Sequence, residues 1–101
     1  MKTFNDIIFS KTSSPKGVQA ILIFPDGREL SIVKNDFSYG GDKGLYEISV
    51  FNKDQVQVEM PGITNQGDTV AGYLTKDSVM AKVKQMVLVT GGDYIQFPHN
   101  G

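Results

Sequence analysis

Val18-Gln19-Ala20-Ile21-Leu22-Ile23-Phe24, then Pro25-Asp26-Gly27, then Arg28-Glu29-Leu30-Ser31-Ile32-Val33-Lys34 is the stretch that decides the fold class. The first run is rich in β-formers and nearly continuous in apolar residues, the pattern of a central strand. Pro25-Asp26-Gly27 supplies turn chemistry: proline presets φ, aspartate bonds its own backbone, and glycine tolerates positive φ. The return run places Leu30 and Ile32 on one face and Glu29 and Ser31 on the other, so the two runs pair as an antiparallel hairpin.

A second hairpin is more regular still. Tyr46, Ile48 and Val50 alternate with Glu47 and Ser49, and after Asn52-Lys53-Asp54 the residues Val56, Val58 and Met60 alternate with Gln55, Gln57 and Glu59. A period of two means one face buried and one face wet. Pro61-Gly62 ends that strand, and Ile63 to Asp68 reads as a polar loop. The period then changes. Thr75 caps a helix with Asp77 in its first turn and a staple between Leu74 and Val79; Val79, Val83, Met86 and Val87 follow on one side, with Lys76, Lys82 and Lys84 expected on the wet side. Thr90-Gly91-Gly92 stops it, although the β-prone Val87-Leu88-Val89 would permit an earlier end. Upstream, Phe4, Ile7 and Ile8 have helical spacing behind a Thr3 cap, whereas Phe9 would equally continue a strand; the expectation is a short helix. Lys11 to Gly17 reads as a loop, residues 93–101 as a flexible tail with a short strand at Tyr94 to Phe97 open to it. The expected fold is α+β: a four- to five-stranded antiparallel sheet of hairpins, with one main C-terminal helix on one face, in a single domain over 1–101.

Composition narrows the function classes. A chain of 101 residues buries roughly 65% of the surface its unfolded form exposes, enough for one sheet and a helix. Ten basic residues against 11 acidic ones leave no basic field of the kind nucleic-acid binding needs. No run approaches the about 18 apolar residues of a membrane span, and Met1 to Asp6 lack the apolar core of a signal peptide. With no cysteine and a single histidine, His99, near the C-terminus, thiolate metal sites, cysteine nucleophiles, a histidine-rich zinc site and an internal Ser-His-Asp triad are excluded. The expectation is a non-enzymatic protein with no cofactor or metal, in a reducing cytoplasm.

Ser38-Tyr39-Gly40-Gly41-Asp42-Lys43-Gly44, between the hairpins, is the distinctive constellation. As a binding loop, its successive N–H groups would form an anion nest with Ser38, Tyr39 and Lys43 as further donors. As a crossover, its glycines only permit positive φ. It matches neither the P-loop nor the dinucleotide fingerprint. The carboxylates of Asp36, Asp42, Glu47 and Glu59 are scattered over a wet face rather than paired for acid–base work. Phe37, Tyr39, Tyr73, Tyr94 and Phe97 lie in or near loops, where they serve either a partner surface or satellite packing. The candidate binding residues are Phe37, Ser38, Tyr39, Gly40, Gly41 and Lys43.

Phe24-Pro25-Asp26-Gly27, Ser38-Tyr39-Gly40-Gly41 with Gly44-Leu45-Tyr46-Glu47, and Gly72-Tyr73-Leu74-Thr75, in that order, resemble a family of small uncharacterised proteins of tailed bacteriophages and prophages. The likeness spans Val18 to Val87 and departs at Lys76-Asp77-Ser78, where a more acidic turn is expected, and in a longer tail. It implies a phage setting in the host cytoplasm and the same fold class, with no activity and no catalytic residues to carry over. The expected function is that of a phage accessory protein that binds a host or phage macromolecule, a protein above all, for example to inhibit a host defence or metabolic enzyme. The alternative is a sponge for a small anionic ligand such as a nucleotide, held by the Ser38–Gly44 loop. Edge strands of such a sheet could pair between copies, which leaves a homodimer open.

Overall fold

The computed structural model describes residues 2–96. The chain runs through a 3-10 turn (Phe4–Asp6), β1 (Ser10–Ser13), β2 (Lys16–Ile23), β3 (Glu29–Asn35), a second 3-10 turn (Gly41–Lys43), β4 (Tyr46–Phe51), β5 (Gln57–Val58), β6 (Val70–Leu74) and α1 (Lys76–Thr90). All six strands join one antiparallel sheet in the order β1-β2-β3-β4-β5, with β6 also on β4. The α+β architecture with its C-terminal helix is therefore as the sequence implies.

The first hairpin closes as its turn residues dictate. Phe24 N donates to Arg28 O at 2.9 Å, Gly27 N to Phe24 O at 3.0 Å, and Arg28 N to the Asp26 carboxylate at 3.0 Å, with Gly27 at φ 92°. β2 and β3 then pair from Gly17–Asn35 to Ile23–Glu29. The alternation along β4 also holds: Tyr46, Ile48 and Val50 are buried. They join Ala20, Leu22, Leu30 and Ile32 from the neighbouring strands in one core, completed by Val79, Val83 and Met86 of α1. Each of the Val, Leu, Ile and Met side chains among them contributes roughly 1.5–3 kcal/mol on full burial. Thr75 caps the helix by accepting from Ser78 N at 3.1 Å, and Gly91 at φ 91° ends it. The helix continues through Val87-Leu88-Val89 to Thr90, because the C-terminal glycine rather than the β-propensity of three residues decides where it stops.

Several local expectations need correction. Of the expected Lys11–Gly17 loop, Lys11–Ser13 belongs to β1 and Lys16 and Gly17 to β2, because this polar edge is held by its ladder and carries no apolar signal. The N-terminal helix shrinks to one 3-10 turn closed by the Asp6 carboxylate, which accepts from Thr3 N at 2.6 Å. The second arm of the second hairpin reduces to Gln57–Val58, because the Asn52 side chain takes the Val56 N–H at 3.0 Å and leaves Val56 exposed. Ile63, placed in a polar loop, is fully buried, and its carbonyl accepts from Lys82 Nζ at 2.6 Å. Lys82 is thus half-buried instead of free, and desolvation holds its pKa below the ordinary lysine value. Finally, the tail is anchored as far as Gln96. Ile95 exchanges two backbone hydrogen bonds with Ile23, at 3.0 and 2.8 Å, and the Gln96 amide clasps the backbone of Ile8. Phe97 and His99 lie outside the described residues.

Substitutions on the two sides of α1 separate core from surface. Val83→Asp places an unpaired charge in the core and should cost more than about 4 kcal/mol, enough to unfold a domain of this size. Leu88→Asp, at a position 82% exposed, should stay within about 0.5 kcal/mol of the parent. Urea melts followed by circular dichroism check both.

Candidate functional site

The glycine-bearing connection is a self-bonded structure. Asn35 Oδ1 accepts from Phe37 N and Ser38 N, both at 2.8 Å, while Ser38 Oγ accepts from Asn35 N at 2.9 Å and reaches Asn35 O at 3.1 Å. Gly41 N then donates to Ser38 O, Lys43 N and Leu45 N both donate to Gly40 O, and Gly44 N donates to Gly41 O. Gly40 and Gly44 have positive φ, at 89° and 75°. A Cβ on Gly41 would collide with the Asn35 carbonyl oxygen, so that glycine is required by close approach and not by φ.

The loop is tied to the sheet through a bulge. Tyr46 pairs with Leu74 and Ile48 with Ala71, so Gly72 and Tyr73 together oppose the single residue Glu47. A bulge of this kind bends its strand and re-aims a side chain. Here Tyr73 takes φ 56°, a left-handed conformation that a bulky residue seldom adopts. Its N–H donates to Tyr39 O at 3.0 Å, and Glu47 Oε1, opposite the bulge, accepts from Tyr39 N at 2.7 Å. Gly72 has no side chain where Tyr39 sits; a Cβ there would strike the Tyr39 Cβ.

The product is an exposed aromatic pair. Tyr39 and Tyr73 stack with ring centroids 6.4 Å apart and 25° between planes, and Lys43 Nζ lies 5.8 Å from the Tyr73 centroid. The rings remain 57% and 59% exposed, and Phe37 is exposed nearby in sequence at 84%. Of the six residues the sequence singles out, Tyr39 and Lys43 meet at this surface, Phe37 stands exposed on the same connection, and Ser38, Gly40 and Gly41 build the loop. Ser38 has its hydroxyl committed to Asn35. Within the loop the N–H groups of Ser38, Tyr39, Gly41, Lys43 and Gly44 donate within the protein, as do those of Phe37 and Leu45 beside it, whereas those of Gly40 and Asp42 make no such bond among the described residues.

Tyr73 is the residue that sequence reasoning left among scattered aromatics, because Gly72-Tyr73-Leu74 read as the opening of the helix. The available signal was glycine inside a short β-prone run, which marks a bulge or a close backbone approach. Chemically, the surface offers two phenols, one ammonium and two ring faces: it can stack and donate hydrogen bonds. No group of three or more metal-ligating side chains occurs among the described residues, and no described helix is long and apolar enough to cross a membrane. Comparison of the chain with protein-family models, with curated proteins and with solved structures finds no match.

The two roles of glycine separate experimentally. Gly44→Ala meets no neighbour, so it should cost only the roughly 1–2 kcal/mol of a left-handed alanine. Gly41→Ala must displace the Asn35 carbonyl and should cost about 3 kcal/mol or more. Chemical denaturation of both variants gives the order directly.

Proposed function

We propose that the protein is a binding protein whose partner docks on the Tyr39–Tyr73–Lys43 surface, with Phe37 extending it. The observation that carries this reading is the exposed tyrosine stack, held by a bulge with a non-glycine residue at positive φ. Strained backbone of this kind persists only where surrounding structure over-determines it, and it concentrates at functional sites. Tyrosine gives a large contact area with few rotatable bonds, and it is enriched among binding hot spots. A protein partner suits the balanced charge of the chain better than a nucleic acid does. The resemblance to phage proteins gives the setting: an accessory protein in the host cytoplasm that occupies a host or phage macromolecule, for example an enzyme of defence or metabolism. Sequestration of a small anion by the loop amides is the weaker reading, because most of those amides are already bonded and only Gly40 and Asp42 keep theirs free of a protein acceptor among the described residues.

A Tyr39→Ala, Lys43→Ala double variant removes half the stack and the cation. It should melt within about 1.5 kcal/mol of the parent and fail to retain the protein that the parent captures from infected-cell lysate. Calorimetry with that purified partner should show at least a tenfold loss of affinity, or about 1.4 kcal/mol. Full affinity in the double variant would place the interface elsewhere. Substrate turnover abolished by Asp42→Asn would replace binding with catalysis.

A further inference from the structure

The sheet has a second face, turned away from α1. It is formed by the positions of β2, β3 and β4 that alternate with the core. An antiparallel sheet open to water on one side normally carries polar residues there. Here the register places Ile21, Ile23, Val33, Phe51, Val70 and Ile95 on that face, and none of the six belongs to the core or packs against it. One row across the strands reads Ile21, Ser31, Ser49, Val70. The two serines are low ground between bulkier flanks three strand spacings apart, about 14 Å. That is close to the ~10–12 Å width of a helix with its side chains. Ser31, at the floor, is 5% exposed.

Charge divides between the two sides of the molecule. The open face carries the carboxylates of Glu29 and Glu47, and its register positions include no lysine or arginine. Glu29 Oε2 accepts from the Gln55 amide at 2.6 Å and Glu47 Oε1 from Tyr39 N at 2.7 Å, but neither carboxylate has an ion pair among the described residues. Lys11, Lys16 and Lys34 instead follow the register of Val18, Ala20 and Leu22, on the side of α1. Lys2, Lys76 and Lys84 stand on that side too, near the carboxylates of Asp77 and Asp93. Of these lysines, Lys76 and Lys84 form no ion pair among the described residues. One helical turn beyond Lys84, Leu88 is 82% exposed, and Val89 beside it is 53% exposed.

We propose that the chain associates head to tail, the exposed side of α1 in one copy lying on the open sheet face of the next. Leu88 enters the low ground at Ser31 and Ser49, and Lys84 meets the carboxylates at its rim. A second copy is the occupant because this chain itself carries the complement of each surface: apolar and acidic on the sheet, apolar and basic on the helix. Two open sheet faces docked on one another would set Glu29 and Glu47 against their own copies, and like charges disfavour that arrangement. The two surfaces lie on opposite sides of the sheet, so two copies cannot satisfy both, and the association grows past a dimer. It rests on neither the tyrosine stack nor the partner of that surface.

Sedimentation equilibrium of the purified chain, from about 10 µM to about 1 mM, is the test. The weight-average mass of the parent should climb past twice the 11.1 kDa of one copy. Leu88→Asp blocks the helix side, and Ile21→Lys or Glu29→Lys blocks the sheet side; each alone should weaken association at least about tenfold. Urea melts of all three variants should match the parent, since the three positions lie outside the core. Mixing Leu88→Asp with Ile21→Lys leaves one working sheet side and one working helix side, so a 1:1 complex that stops at two copies is expected. Glu29→Lys mixed with Leu88→Asp repeats that result with a variant that keeps every apolar residue of the sheet. A parent that stays monomeric at about 1 mM, association that stops at two copies, or mixtures that form no 1:1 complex would each overturn the proposal. Dimers that persist in Leu88→Asp alone would assign the contact to paired sheet faces or strand edges, and overturn it as well.

Discussion

Two residues opposite one is the constraint on which the functional side of this structure depends. β4 is the strand most demanding of partners. Its one edge is taken by β3 from Val33 to Glu29, and its other edge is divided between β5 at Val50–Phe51 and β6 at Tyr46–Ser49. β6 does not follow β4 residue for residue on its way to the capped helix at Thr75. The extra residue is absorbed opposite Glu47, and the strain is held at Tyr73. Once Tyr73 is turned out, its amide finds Tyr39 O and the Glu47 carboxylate finds Tyr39 N, so a loop remote in sequence is bonded at both sides of one residue.

The same arrangement explains why the loop is rich in glycine without being a ligand cradle. Close approach to Asn35 leaves no room for a side chain at Gly41, and at Gly40 a positive φ of 89° adds to a tight fit, 3.0 Å, against Leu45 and Tyr73. Most of its donors are bonded within the protein, which rigidifies the backbone. A rigid loop that presents aromatic faces loses little entropy on binding, and that is where affinity is most easily gained.

Much of this was legible in the sequence where a local pattern and a tertiary requirement coincide. The Pro25-Asp26-Gly27 hairpin, the alternation of Tyr46, Ile48 and Val50, and the helix capped by Thr75 each carry their own signal and each pack as that signal demands. Elements held only by their neighbours were hidden. β1 is Ser-Lys-Thr-Ser and has no apolar residue to announce it; β6 is five residues long with a glycine at its centre; Ile63 is buried by a lysine-bridged loop rather than by any periodicity. For the site, residue types pointed to Tyr39 and Lys43. Their partner Tyr73 was concealed, because a bulge is a property of two strands and is written in neither alone.

Amide hydrogen exchange at Tyr39 is the most direct measurement of whether the sheet holds this loop. In the parent, the Tyr39 and Tyr73 amides should be protected in the same range as the ladder amides of Ile48 and Val50. In Glu47→Ala, Tyr39 alone of these should exchange faster, by about tenfold or more for the loss of a charge-assisted hydrogen bond. A Tyr39 amide that exchanges at the rate of an unstructured chain in the parent would contradict the coupling between bulge and loop, and with it the rigid tyrosine surface.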